Sequence, residues 1–272
     1  MYYWNTQNYI MSNNPNIYLV TFGAKTSSKD FSLSRCRLEN EARDTGWFTD
    51  VFNYTSDDLL SYNRSFAPTG AGWWWWKSVV CQISLNKIKK NDIIVYLDAG
   101  CSINIKGEKR FWEYVELCKT GPGFVGFGGG TELSDRIGDG ATDKMHTKRD
   151  LLIDLGCDLP QYTNTTQLGG GLFFLKNNEF GNDLINEFVE LSKNEHYINN
   201  DISSHKEYDE FVGHRNDQSV LSLLIKLRLP KLNNYLFSLK ETTHNPAEDL
   251  DLQYPLKATR INDSHIWNNI LN

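Results

Sequence analysis

Short runs of apolar residues alternate along this chain with longer amphipathic stretches. Ile17 to Phe22 is a β-branched and aromatic run stopped by Gly23, and Leu33 to Thr45 reads as a helix closing at Gly46. Val51 to Tyr54 is a second short strand. Lys77 to Lys90 carries Val80, Ile83 and Ile88 on roughly one helical face. The clearest strand is Ile93-Ile94-Val95-Tyr96-Leu97, whose unbroken apolar character suits a strand covered on both faces. Beyond it the pattern predicts a helix over Glu108 to Cys118, a strand over Phe124 to Phe127 and a helix over Lys144 to Leu155. A glycine run, Gly169 to Gly171, then leads into a strand over Leu172 to Leu175. Helices follow over Glu179 to Ser192 and Asp217 to Leu227, and the tail from Thr242 looks irregular. Strands separated by helices of this length predict an α/β fold with a mainly parallel sheet flanked by helices. No repeat or linker interrupts it, so one domain is expected.

Composition narrows the function classes. The chain has 272 residues, 40% hydrophobic and 13% aromatic, enough for a sizeable core. The net charge of −6 gives no general attraction to nucleic acid or anionic membrane, so no nucleic-acid partner is expected. No apolar run reaches membrane-spanning length and no signal peptide is visible, which predicts a cytoplasmic protein. The five cysteines are odd in number and lack any Cys-x-x-Cys pair, which fits a reducing compartment and removes the usual zinc signatures. Asparagine occurs 27 times, so the four Asn-x-Ser/Thr matches, at Asn53, Asn63, Asn164 and Asn262, are read as chance.

Two segments carry candidate chemistry. Tyr96-Leu97-Asp98-Ala99-Gly100-Cys101 delivers a carboxylate at the end of a buried strand, followed by small residues that admit a bulky ligand. In open α/β sheets that is where ligands bind. A carboxylate there can hold a hard cation that neutralises a diphosphate, and it can equally cap the next turn. The second segment, Phe211-Val212-Gly213-His214-Arg215-Asn216-Asp217-Gln218-Ser219, packs an imidazole, a guanidinium, a carboxylate and amides just before an apolar helical run. Asp217 can take a proton from a hydroxyl, or simply begin the helix.

Together with Gly72-Trp73-Trp74-Trp75-Trp76-Lys77, Thr147-Lys148-Arg149-Asp150 and Gln167 to Gly171, these segments resemble a group of small glycosyltransferases of bacteria and large DNA viruses with the nucleotide-sugar-binding GT-A architecture. The resemblance runs from about Ile17 to Leu227. It implies an extension over 1–15, a GT-A-like domain over 16–241 and a tail over 242–272 that closes over the donor site. Asp98 would match the first acid of the Asp-x-Asp motif that holds Mn²⁺ or Mg²⁺ on the donor diphosphate. Gly100 stands where the second acid belongs.

The resemblance further implies donor contacts from Thr21, Phe22 and Gly23 at the first strand's exit, from Trp76 with Trp75, from Ala99 and Gly100, and from Gly170. Arg37, Lys77, Lys257 and Arg260 are candidates to balance the diphosphate. Asp98 and His265, with His244 beside it, are the candidate metal ligands. Lys148, His214, Arg215 and Gln218 are candidates for the acceptor side, and Asn216 for sugar hydroxyls. Asp217 is the expected base of an inverting transfer, with Asp135 or Glu132 as substitutes, and the polar stretch Glu132 to Lys148 is a candidate lid. A UDP-sugar is the expected donor, UDP-xylose among the first to test, with a glycan hydroxyl as acceptor. Four consecutive tryptophans cannot all face one site, so at least two should serve packing. A nucleotide-sugar or carbohydrate-binding protein without turnover is the competing class. The chain lacks the glycine-rich loops of P-loop and dinucleotide-binding enzymes.

Overall fold

In a computed structural model of the chain, residues 14–25, 30–67, 69–128, 141–229, 232–242 and 253–263 are described. Their strands are β1 (Ile17–Phe22), β2 (Asp50–Tyr54), β3 (Ile93–Leu97), β4 (Ser102–Ile103), β5 (Phe124–Phe127), β6 (Leu172–Lys176), β7 (Leu236–Phe237) and β8 (Leu256–Lys257). The longer helices are α1 (Ser32–Thr45), α2 (Trp76–Lys87), α3 (Glu108–Thr120), α4 (Glu179–Lys193) and α5 (Asn216–Arg228). Six strands form one sheet in the order β2-β1-β3-β6-β5-β7, and β4 pairs with β8 apart from it. The fold is α/β with a mainly parallel central sheet: β1 runs parallel to β2 and β3, and β5 to β7. Only β6 runs against its neighbours, β3 and β5.

Alternation along the strands builds two cores. Ile93, Val95 and Leu97 of β3 join Leu38 of α1 and Phe111 and Tyr114 of α3 on one face. Ile94 and Tyr96 join Val80 of α2, Phe188 of α4 and Leu224 of α5 on the other. This two-sided burial is why β3 is apolar throughout.

The reversal of β6 decides where the site forms. Antiparallel pairing puts Leu97, the last residue of β3, opposite Leu172, the first of β6. Asp98 therefore meets the glycine run directly, its N–H donating to Gly171 O at 2.9 Å. Gly169 N–H in turn donates to Phe127 O at the end of β5, at 2.8 Å. The carboxyl ends of β1, β3 and β5 and the start of β6 thus lie at one edge of the sheet.

Two expectations change. The helix predicted over 144–155 is two turns, Asp143–His146 and Arg149–Asp154. Between them Thr147 and Lys148 are extended, because their polar groups are taken up across the fold: Lys148 N–H donates to His214 Nδ1, and Gln167 Nε2 donates to Thr147 Oγ1. The tail is not wholly irregular. Its β8 pairs with β4, and Asp263 accepts from the N–H groups of Leu33 and Ser34 at 3.0 and 2.8 Å. With Asp30, which accepts from Ser32 N–H, it supplies the capping that Phe31 at the N-cap position cannot give. Among the described residues no helix is long and apolar enough to cross a membrane, and the five cysteines are unpaired, Cys36 alone exposed.

Candidate functional site

A cleft of about 520 Å³ opens at the strand ends. One wall is aromatic, built from Phe22, Phe31, Trp74 and Trp76. Trp76 stacks on Phe22 with ring centroids 4.0 Å apart, and its indole N–H donates to Gly70 O. Trp74 is half-buried and faces the cleft, whereas Trp75 is buried in the core with its N–H on Ser65 O. This division comes from the backbone. Gly70, Ala71, Gly72, Trp73 and Trp74 all have φ between 51° and 91°, a left-handed turn. For the three residues with side chains such a turn costs roughly 1–2 kcal/mol each. Trp74 and Trp76 line the cleft while Trp75 between them is buried in the core, so the turn shares its tryptophans between the two and leads directly into α2.

A second stretch of wall holds Asp98, Ala99 and Gly100, the glycines 169–171, Gln167, Gln218 and Arg215. Asp98 is the carboxylate on this wall, 40% exposed. Its Oδ1 accepts from the buried Tyr96 hydroxyl at 2.7 Å and lies 3.4 Å from Lys77 Nζ. A Cβ at Gly171 would stand 2.6 Å from Asp98 Oδ2, so a side chain there would displace the carboxylate.

Behind Asp98 lies the most strongly perturbed group of charges. Lys77 is buried, and its Nζ is 2.6 Å from Asp217 Oδ2 and donates to Gly170 O at 2.9 Å. The Asp217 contact is ionic and lacks the alignment of a hydrogen bond. Burial pushes the Asp217 carboxyl up to about 6, Lys77 opposing the shift and Asp98 adding to it. Burial by itself would lower the Lys77 ammonium, but the two carboxylates more than reverse this and hold it charged. Asp217 is 6% exposed and does not reach the cleft wall.

Several other candidate residues are internal supports. Arg37 donates to the carbonyls of Ala99 and Cys101 and pairs with Glu41, clamping the loop after β3. Lys148 is buried, its Nζ on His196 O and Asn199 Oδ1. His214 accepts from Lys148 N–H and donates to Tyr197 O at 2.8 Å, and burial holds its imidazole down at about 4, so it is neutral near pH 7. Asn216 donates to Ile198 O, Thr21 is buried in β1, and Lys257 is buried in β8. Phe22, Gly23, Trp76, Asp98, Ala99, Gly100, Gly170, Arg215, Gln218 and Arg260 are the candidates brought together on the cleft. Trp74, Phe31 and the Tyr96 hydroxyl were not singled out from sequence. A hydroxyl two residues before a strand-end acid was the available signal for Tyr96. Glu132, Asp135, His244 and His265 lie outside the described residues.

The C-terminal segment completes the cleft through Thr242, Ala258 and Arg260. Thr259 Oγ1 and Ile261 N–H both donate to Gly100 O, at 2.7 and 2.9 Å. A Cβ at Gly100 would come within 3.1 Å of Arg260 Cα and of Ile261 O. Arg260 itself is exposed, at a φ of 56°.

No protein-family model matches the chain. No curated protein matches it either. Among solved structures it is similar to a glycosyltransferase involved in the glycosylation of the major capsid of PBCV-1. That likeness has 10% identity and a TM-score of 0.39 over 66% of this chain and 68% of the other.

The donor set for a divalent cation is poor among the described residues. No group of three His, Cys, Asp or Glu side chains converges there. Asp98 already has an ammonium beside it, and Asp217 is paired and buried. A second positive ion next to Lys77 would be repelled, and hard cations ask for several open oxygen ligands. The residues described do not fit that group.

Proposed function

We propose that the chain is a glycosyltransferase that moves a sugar from a nucleotide diphosphate donor, a UDP-sugar by preference, to a hydroxyl of a glycan. One observation carries this reading: Asp98, its side chain 40% exposed at the end of β3, lines one open cleft together with the aromatic rings of Phe22, Trp74 and Trp76. Flat rings accept a base or the C–H face of a sugar, and a carboxylate accepts from sugar hydroxyls. The glycines 169–171 let the ligand approach the backbone closely.

Transfer builds positive charge at the anomeric carbon and negative charge on the leaving diphosphate. In an inverting reaction a base takes the acceptor proton. Asp217 is one candidate base: burial brings its carboxyl to about 6, a range suited to accepting a proton near neutral pH, but it stands behind the cleft wall. Its 6% exposure against 40% for Asp98 favours a second assignment, with Asp98 as the base and Asp217 holding Lys77. Asp217→Asn separates the two. Loss of transfer with nucleotide binding intact is expected if Asp217 is the base. Restored transfer in the Lys77→Met/Asp217→Asn double variant would move the base to Asp98.

The reading as a whole is tested by a thermal-shift screen of nucleotide-sugars with and without Mn²⁺, followed by assay of donor hydrolysis and transfer. Stabilisation by one donor class and turnover of that donor are expected. Binding without any turnover would favour a nucleotide-sugar-binding protein instead.

A further inference from the structure

The expected acid at position 100 is a glycine, and the structure gives that glycine a definite partner. The backbone of 259–261 lies directly on it, with Gly100 O accepting two hydrogen bonds from Thr259 and Ile261. A Cβ at 100 would press on Arg260 Cα and Ile261 O at 3.1 Å, so the 259–261 backbone would have to yield. The backbone of 259–261 therefore occupies the space beside position 100 into which a second acid would project, and Arg260 lines the cleft there. Arg260 holds a left-handed φ at this point, which few residues with a side chain adopt. Behind Asp98, Lys77 brings a buried positive charge to 3.4 Å from the carboxylate. Arg215 stands on the wall formed by the start of α5.

We infer that the cleft binds a nucleoside diphosphate without a divalent cation: Lys77 neutralises Asp98 from beneath, and the guanidinium of Arg260, with Arg215, meets the diphosphate from the walls. The inference rests on the nucleotide-sugar reading above and adds to it the means of charge neutralisation. Arginine suits the task, since its planar fork pairs with phosphate oxygens in a bidentate manner.

The test uses the full chain and UDP as the probe. Titration calorimetry in chelator and in Mn²⁺ should return the same UDP affinity within a factor of about three, while Arg260→Ala should weaken it by about tenfold in both buffers, the loss of one charge-assisted contact. Mn²⁺ alone, followed by the electron-spin signal of the free ion, should not bind to the wild type. UDP affinity that rises by about tenfold or more with Mn²⁺, or is unchanged in Arg260→Ala, would overturn the inference. So would Mn²⁺ binding that disappears in Asp98→Asn, whatever UDP does. If UDP and the other nucleoside diphosphates bind in neither buffer, the nucleotide reading falls and this inference with it. The separate Mn²⁺ result distinguishes that failure from a failure of the charge assignment alone.

Discussion

Replacing Lys77 with Met keeps the buried stem and removes the ammonium, leaving Asp217 with no counter-charge at 2.6 Å. With Lys77 present, the Asp217 carboxyl stands at about 6 against an ordinary 3.8, so its ionisation in the folded protein costs about 3 kcal/mol relative to the unfolded chain. Withdrawing Lys77 raises that carboxyl further, and breaking a buried ion pair from one side typically costs about 3–5 kcal/mol. The sign of the pH dependence follows. A carboxyl raised in the folded state contributes stability that is fully present below about 3.8 and is lost as pH rises through its folded value. Lys77→Met should therefore be much less stable than wild type at about pH 8 and recover part of the loss at about pH 5, where Asp217 takes up a proton. Urea unfolding of wild type, Lys77→Met and Lys77→Met/Asp217→Leu at both pH values measures this. The double variant should regain most of the loss, since neither charge is then left alone. A loss under about 1 kcal/mol, or one equal at both pH values, would refute a buried, charged Lys77–Asp217 pair.

Asp98→Asn should reduce transfer by at least about a hundredfold with little change in unfolding midpoint, because the side chain is 40% exposed; an active variant would remove Asp98 from the reaction. Gly100→Asp should lift the 259–261 segment, costing about 1–3 kcal/mol and exposing the tail to limited proteolysis; an unchanged digestion pattern would contradict the close packing seen. Trp74→Ala should weaken donor binding by about tenfold, whereas Trp75→Ala should mainly lower stability, a contrast readable by calorimetry and thermal unfolding. Because burial lowers the His214 imidazole to about 4, its contribution is present above about 6.5 and lost as pH falls through about 4. His214→Asn should accordingly flatten the acid limb of stability by up to about 3 kcal/mol, followed by unfolding across that range.

The elements marked by an unbroken apolar run or by helical apolar spacing were legible from sequence. β3 and β5 fall where their apolar runs placed them, and α4 differs by one residue at its end. The stretch 144–155 misled because its periodicity is helical while its middle is held extended by Gln167 and His214, partners far away in the chain. Asp98 at a strand end was visible as chemistry, since a carboxylate after an apolar strand stands out locally. The fates of His214 and Lys148 were not, because a polar residue engaged in the interior reads the same in sequence as one that waits for a ligand.

By itself the sequence determined the layers of the fold, through the spacing of its apolar residues, and the strand ends at which polar chemistry collects. Only the tertiary structure decided how that chemistry is shared. The reversal of β6 brings Gly171 to Asp98, and the left-handed turn sends Trp74 and Trp75 opposite ways. The docking of 259–261 on Gly100 puts Arg260 at the cleft. Each depends on residues distant in sequence coming within a few ångströms, where sterics and desolvation act and local patterns carry no information.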